Sequence, residues 1–171
     1  MVTRKKITDP DTKPQHGLKM RLDDMMTIQP KTEKQKEFFD AYQQGHYFCA
    51  LSGVAGTGKT YIAFYKALEE VMEKSNPYTK LVIIRSSVQS REMGHLPGDA
   101  EEKMNQFTEP YKQIAAELFK RKDAWDRLVE QGYVEFLSTS FIRGTTFNNA
   151  IVMLDESQNC TMHELDTIIT R

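Results

Sequence analysis

The residues Gly53, Val54, Ala55, Gly56, Thr57, Gly58, Lys59 and Thr60 constrain the fold of this chain more than any other stretch. They satisfy G-x-x-x-x-G-K-[ST], the phosphate-cradling Walker A loop. Its glycines let main-chain N–H groups curl toward an anion, in dihedrals that a side chain would hinder. Lys59 offers a point charge to the β- and γ-phosphates of a nucleotide. The Thr60 hydroxyl is the hard oxygen donor that Mg²⁺ prefers. The apolar run Tyr47–Leu51 just before the loop reads as a strand. After it, Phe64, Ala67, Leu68 and Val71 repeat at helical spacing. A helix starting near Lys59 turns its positive end toward bound phosphates. Strand, loop and helix in that order imply an α/β fold, with a mostly parallel central sheet flanked by helices.

A second apolar run, Ile151–Leu154, ends in Asp155 and Glu156. This is the Walker B pattern. At the tip of a strand Asp155 is placed to help hold Mg²⁺, and Glu156 to orient or deprotonate the water that attacks the γ-phosphate. A glutamate beside the aspartate favours an ATPase over a GTPase-type switch, which positions its water with a glutamine elsewhere. No guanine-reading Asn-Lys-x-Asp occurs in the chain. The expected cofactors are therefore ATP and Mg²⁺. Gln158 stands where a side-chain amide could sense the γ-phosphate; the alternative is a surface loop glutamine.

The remaining elements follow in order. Residues 1–19 read as a flexible basic leader, and residues 20–171 as the nucleotide-binding domain. Met20, Leu22, Met25, Met26 and Ile28 are expected to lie against that domain. Thr32 caps a helix to about Gln44, with Phe38, Phe39 and Tyr42 inward and Gly45 closing it. The helix after the phosphate loop is expected to end at Ser75-Asn76-Pro77. Leu81–Ile84 reads as a strand buried on both faces. Arg85 and the polar loop 86–91 then emerge on the edge where parallel sheets bind ligands. Residues 93–99 are turn material. A helical insert spans about 99–131, with Pro110 in a first helical turn, and with Tyr111, Ile114, Ala115 and Leu118 on one buried face. In a second short helix Trp125, Leu128 and Val129 point inward. Tyr133–Leu137 is a further strand. Thr161–Glu164 forms a capping box for a helix burying Leu165, Ile168 and Ile169.

Composition sets the outer limits. With 171 residues the chain has room for one α/β domain. No apolar run approaches the ~20 residues of a membrane span, and no signal-peptide pattern opens the chain. Cys49 and Cys160 sit in no metal-type spacing, so a reducing cytoplasm is expected, with both as packing residues. Within a net charge of −1, residues 1–22 carry six basic against two acidic side chains. Such an arm could touch phosphates, or serve only as a solvated leader.

Two blocks now point to a family. Ser52 to Thr60 match its Walker A. Arg143-Gly144-Thr145-Thr146-Phe147-Asn148-Asn149-Ala150, followed by Ile151 to Asn159, match its second block, with Asp155-Glu156-Ser157-Gln158-Asn159 at its centre. From about Met20 to Arg171 the chain resembles PhoH-like proteins, the phosphate-starvation-inducible ATPases, and especially their phage-borne form. The resemblance implies a RecA-like core similar to the first motor domain of superfamily-one helicases. It also implies ATP hydrolysis with Mg²⁺, ring-like homo-oligomers such as hexamers, and a link to RNA or other single-stranded nucleic acid. A phage-borne protein would act in the host cytoplasm. Carried over by position, Gln35 in Thr32-Glu33-Lys34-Gln35 resembles an adenine-contacting glutamine; without the resemblance it reads as a helix surface residue. Arg85–Gln89 falls where helicases contact a strand. Arg143 lies in the motif before Walker B, as a site residue or as a loop arginine. The family continues into a strand that inserts between the Walker A and Walker B strands. Without it a gap is expected, with rearranged strands or marginal stability, and weak or no ATP turnover.

Two other readings fit the same motifs. One is a nucleotide-binding or assembly module that does not hydrolyse. The other is a P-loop kinase whose lid would be the insert, with Arg121 and Arg127 as its arginines.

Overall fold

The computed structural model describes residues 19–86, 100–142 and 144–171, with backbone alone for 100–104. The leader up to residue 18, the loop residues 87–91, the turn at 93–99 and Arg143 lie outside the described residues. Three parallel strands form the sheet: β1 (Lys80–Arg85), β2 (Val134–Ser138) and β3 (Ala150–Asp155), in the order β2-β1-β3. The register aligns Arg85 with Ser138 on one side and with Asp155 on the other, so the C-terminal tips share one row.

β1 is the middle strand, and Leu81 to Ile84 are fully buried, as its β-branched run implies. Alternation sends Leu81 and Ile83 to one face and Val82 and Ile84 to the other. The first face carries the main core. There Phe64 and Leu68 of α2 (Lys59–Met72) meet Tyr111 and Leu118 of α3 (Ala100–Phe119) and Leu128 of α4 (Ala124–Glu130). The second face is smaller; its buried partners are Ile142, in the segment after β2, and Ile168 of α5 (Met162–Ile169). Met20 and Met25 are buried against the main core, and the Met26 amide donates to the Leu118 carbonyl at 2.8 Å.

α1 (Glu33–Gln43) begins where expected, with the Thr32 hydroxyl accepting from the Gln35 amide. It packs on α2 through a buried cation. The Lys66 ammonium pairs with Glu69 and lies 5.1 Å from the centre of the Phe39 ring, 5.9 Å from Tyr42 and 5.8 Å from Tyr65. A desolvated ammonium over aromatic faces is worth about 2 kcal/mol, so this contact fastens the first helix to the phosphate-loop helix.

The structure corrects several expectations. Tyr47–Leu51 forms no strand: Tyr47 is 91% and Phe48 76% exposed. An apolar run becomes a strand only where another strand takes its hydrogen bonds, and among the described residues none lies beside it. β3 accordingly is an edge strand, half-buried along its whole length. Cys49, in the same segment, is exposed rather than packed. α2 ends at Met72, ahead of the Asn76-Pro77 stop. Pro110 lies inside α3 rather than in a first turn. The hydrogen bond it removes would have ended on the Gln106 carbonyl, and both residues are exposed, so water can serve that carbonyl. Val129 and Ile169 are exposed at the ends of short helices whose buried stripes hold Ala124, Trp125 and Leu128 in one case and Ile168 in the other.

Candidate functional site

The phosphate loop leads into α2 through left-handed glycines. Gly56 has φ +77° and Gly58, the residue preceding the helix, φ +78°. Any L side chain there costs about 1–2 kcal/mol, which accounts for both glycines. The loop is exposed from Ser52 to Thr57. Among the described residues, the amides of Val54, Ala55, Gly56 and Gly58 donate no hydrogen bond. Free amides around left-handed glycines are what an anion cradle consists of.

Side chains brace the loop from inside. The Thr57 hydroxyl donates to the Val54 carbonyl at 3.0 Å. The Lys59 ammonium donates to the Gly53 and Val54 carbonyls, both at 2.9 Å. Both contacts are exposed, so a phosphate arriving at the loop can exchange with them for this cation.

α2 also carries Thr60 to the tip of β3. Its hydroxyl donates to Asp155 Oδ1 at 3.3 Å. The two halves of the site therefore meet, although the strand expected ahead of the loop is absent. Hydroxyl and carboxylate are hard oxygen donors at a spacing that neighbouring Mg²⁺ ligands can take up. Among the described residues no cluster of three or more His, Cys, Asp or Glu could hold a metal alone.

Glu156 follows with φ +53°, a left-handed conformation for a non-glycine residue. Its amide donates to Asp155 Oδ1 at 3.0 Å, and its carboxylate accepts from the Gln158 side chain. Gln35 touches the loop instead of standing free. Its amide nitrogen donates to the Thr57 carbonyl at 3.1 Å, and its oxygen accepts from the Lys31 amide at 2.7 Å. Arg85 lies with its guanidinium 5.6 Å from the centre of the Phe107 ring and donates to the Phe107 carbonyl at 3.4 Å. The structure thus brings together Lys59, Thr60, Asp155 and Glu156 at one end of the sheet, and Gln35 joins through Thr57.

One residue was read from the sequence only as core. Tyr111, fully buried on α3, donates its hydroxyl to Asp155 Oδ2 at 2.7 Å. Burial, then the charge and hydrogen bond of Asp155, push its pKa far up, so the group stays a donor. The available signal was the hydroxyl itself: a tyrosine on a buried helix face needs a partner for its O–H.

Residues 27–171 match the PhoH family, described as PhoH-like protein. A PhoH-like protein of Mycobacterium leprae (strain TN) is 33% identical over 146 residues, covering 85% of this chain and 41% of that protein. One from Bacillus subtilis (strain 168) is 34% identical over 146 residues, covering 85% and 44%. Protein PhoH of Escherichia coli (strain K12) is 33% identical over 150 residues, covering 86% and 42%. The chain thus spans about two fifths of the length of these relatives. No described helix is long and apolar enough to cross a membrane. With the family match running through both the phosphate loop and the Asp155 block, the chain belongs to the PhoH-like protein family.

Proposed function

We propose that this protein binds ATP with Mg²⁺ at the loop Gly53–Thr60 and hydrolyses it, in an action linked to RNA or another single-stranded nucleic acid. The observation that carries the reading is the meeting of Thr60 with Asp155 at 3.3 Å, beside a loop of unengaged amides. In this reading the loop amides and Lys59 hold the β- and γ-phosphates. Mg²⁺, when bound, supplies neutralising charge, with Thr60 and Asp155 as its protein ligands. Glu156 orients the attacking water and takes its proton. Catalysis is then positioning and electrostatics, as phosphoryl transfer requires. Gln35 reads the adenine after exchanging its bond to Thr57, and Gln158 releases Glu156 when the γ-phosphate arrives. The nucleic-acid link and assembly into a homo-oligomeric ring rest on the family likeness.

Phosphate release from ATP, measured with Mg²⁺ and with or without single-stranded RNA, tests this. RNA-stimulated, Mg²⁺-dependent release supports the whole proposal. ATP binding without release supports the second reading, a module that binds and does not hydrolyse, which the engagement of Glu156 by Gln158 favours.

A further inference from the structure

α3 reaches the nucleotide end of the sheet at two points. Phe107 lies under Arg85 at the tip of β1, and Tyr111, one turn on, donates to Asp155 at the tip of β3. Tyr111 is set in place by rings from three other elements. Phe64 of α2 lies 6.3 Å away between ring centres, Trp125 of α4 6.0 Å and Phe136 of β2 5.8 Å. A second tie joins the same two helices, with the Tyr61 hydroxyl donating to Glu117 at 3.0 Å. The ring is therefore fixed by packing, and its hydroxyl has one acceptor.

We infer that Tyr111 is a positioning residue for the metal end of the site: by its short bond to Asp155 Oδ2 it orients the carboxylate and turns Oδ1, the oxygen nearer Thr60, toward the cation. This rests on the nucleotide reading above. It goes beyond it by making the helical insert a structural part of the metal site rather than a lid or an appendage. The Glu156 amide donates to Oδ1 at 3.0 Å, Tyr111 to Oδ2 at 2.7 Å, and the Thr60 hydroxyl lies 3.3 Å from Oδ1 and 3.5 Å from Oδ2, so donors on both oxygens restrain the carboxylate from turning. Partners that orient a metal ligand typically change metal affinity by about 10–100-fold when removed.

The test is Tyr111→Phe, which keeps the ring and removes the hydroxyl. The quantities measured are ADP affinity without metal, and Mn²⁺ affinity of the ADP complex. The expected result is unchanged metal-free ADP affinity with Mn²⁺ binding weakened about tenfold or more. Unchanged Mn²⁺ affinity overturns the inference and leaves the nucleotide reading standing. Equal weakening of metal-free ADP binding also overturns it, since that marks a packing role. Absence of ADP-dependent Mn²⁺ binding in the unsubstituted protein removes the nucleotide reading, and the inference with it. The unsubstituted protein supplies a second readout should the variant not fold. Trp125 is the sole tryptophan and stacks on Tyr111, so Mg²⁺ added to the ADP complex shifts its emission; an unmoved spectrum overturns the link.

Discussion

Thr60 and Asp155, 95 positions apart in the chain, meet at 3.3 Å where the phosphate-loop helix crosses the tip of β3. The contact joins the two motifs that a Mg²⁺–nucleotide site needs. Thr60→Ala removes one of the two metal ligands proposed above and leaves the loop amides intact. Its expected effect is loss of most of the Mg²⁺ enhancement of ATP affinity, with metal-free binding retained. Calorimetric titrations with and without Mg²⁺ check this, and an undiminished Mg²⁺ effect contradicts it.

Glu156 separates strain from chemistry. At φ +53° it holds a conformation that costs an L residue about 1–2 kcal/mol. Glycine relieves that strain but adds unfolded-chain entropy of about 0.5–1 kcal/mol. Glu156→Gly is therefore expected to leave stability unchanged or raise it by up to about 1.5 kcal/mol, while removing turnover. Glu156→Gln is expected to keep ATP affinity and lower turnover about 10²-fold or more. Chemical denaturation and single-turnover assays read the two effects. Full turnover in Glu156→Gln removes the residue from its role.

The exposed segment Tyr47-Phe48 gives a prediction about packing. Exposed positions of this kind change stability by about 0.5 kcal/mol or less when substituted. A buried strand aromatic costs about 3–5 kcal/mol on truncation. The double variant Tyr47→Ser, Phe48→Ser is expected to fall in the first range and to reduce self-association at high concentration, because it removes apolar surface. A loss in the second range would mean the segment is buried in solution.

Alkaline stability follows from two tyrosines on α2. Burial, and then hydrogen bonding to Glu117 and Glu69 respectively, push Tyr61 and Tyr65 up to about 12. The unfolded value is about 10. The folded state thus holds these protons more tightly. The associated stability is complete below pH about 10 and is lost as pH rises toward about 12. Tyr65→Phe is expected to flatten the fall of the thermal midpoint across that window. An identical slope in the variant contradicts the assignment.

Much of this was readable in the sequence, and the misses share a cause. α2, the Thr161 capping box and β1 were legible because their signals are local: a glycine-rich loop, a Thr-x-x-Glu spacing, four β-branched or leucine residues in a row. Tyr47–Leu51 carries an equally apolar signal, yet strand formation depends on a neighbour that a one-dimensional pattern cannot supply. The same limit hid the edge position of β3. Pro110 suggested a helix start, but its exposure lets the helix run through it. Tyr111 fitted a core stripe so well that its hydroxyl was left without a partner in the reading; only the fold reveals Asp155 opposite. Gln35 was singled out by likeness alone; its bond to the Thr57 carbonyl, which sets it against the loop, is a tertiary contact that no local pattern announces.

The most direct test of the central claim is a calorimetric titration of Mg²⁺-ATP into the 171-residue protein, alongside Lys59→Ala. The prediction is one saturable site in the unsubstituted protein, and affinity weaker by about tenfold or more in a Lys59→Ala variant that remains folded, since a hydrogen bond from a charged group is worth about 1.5–3 kcal/mol. No binding by the unsubstituted protein, or equal affinity in folded Lys59→Ala, would contradict the account.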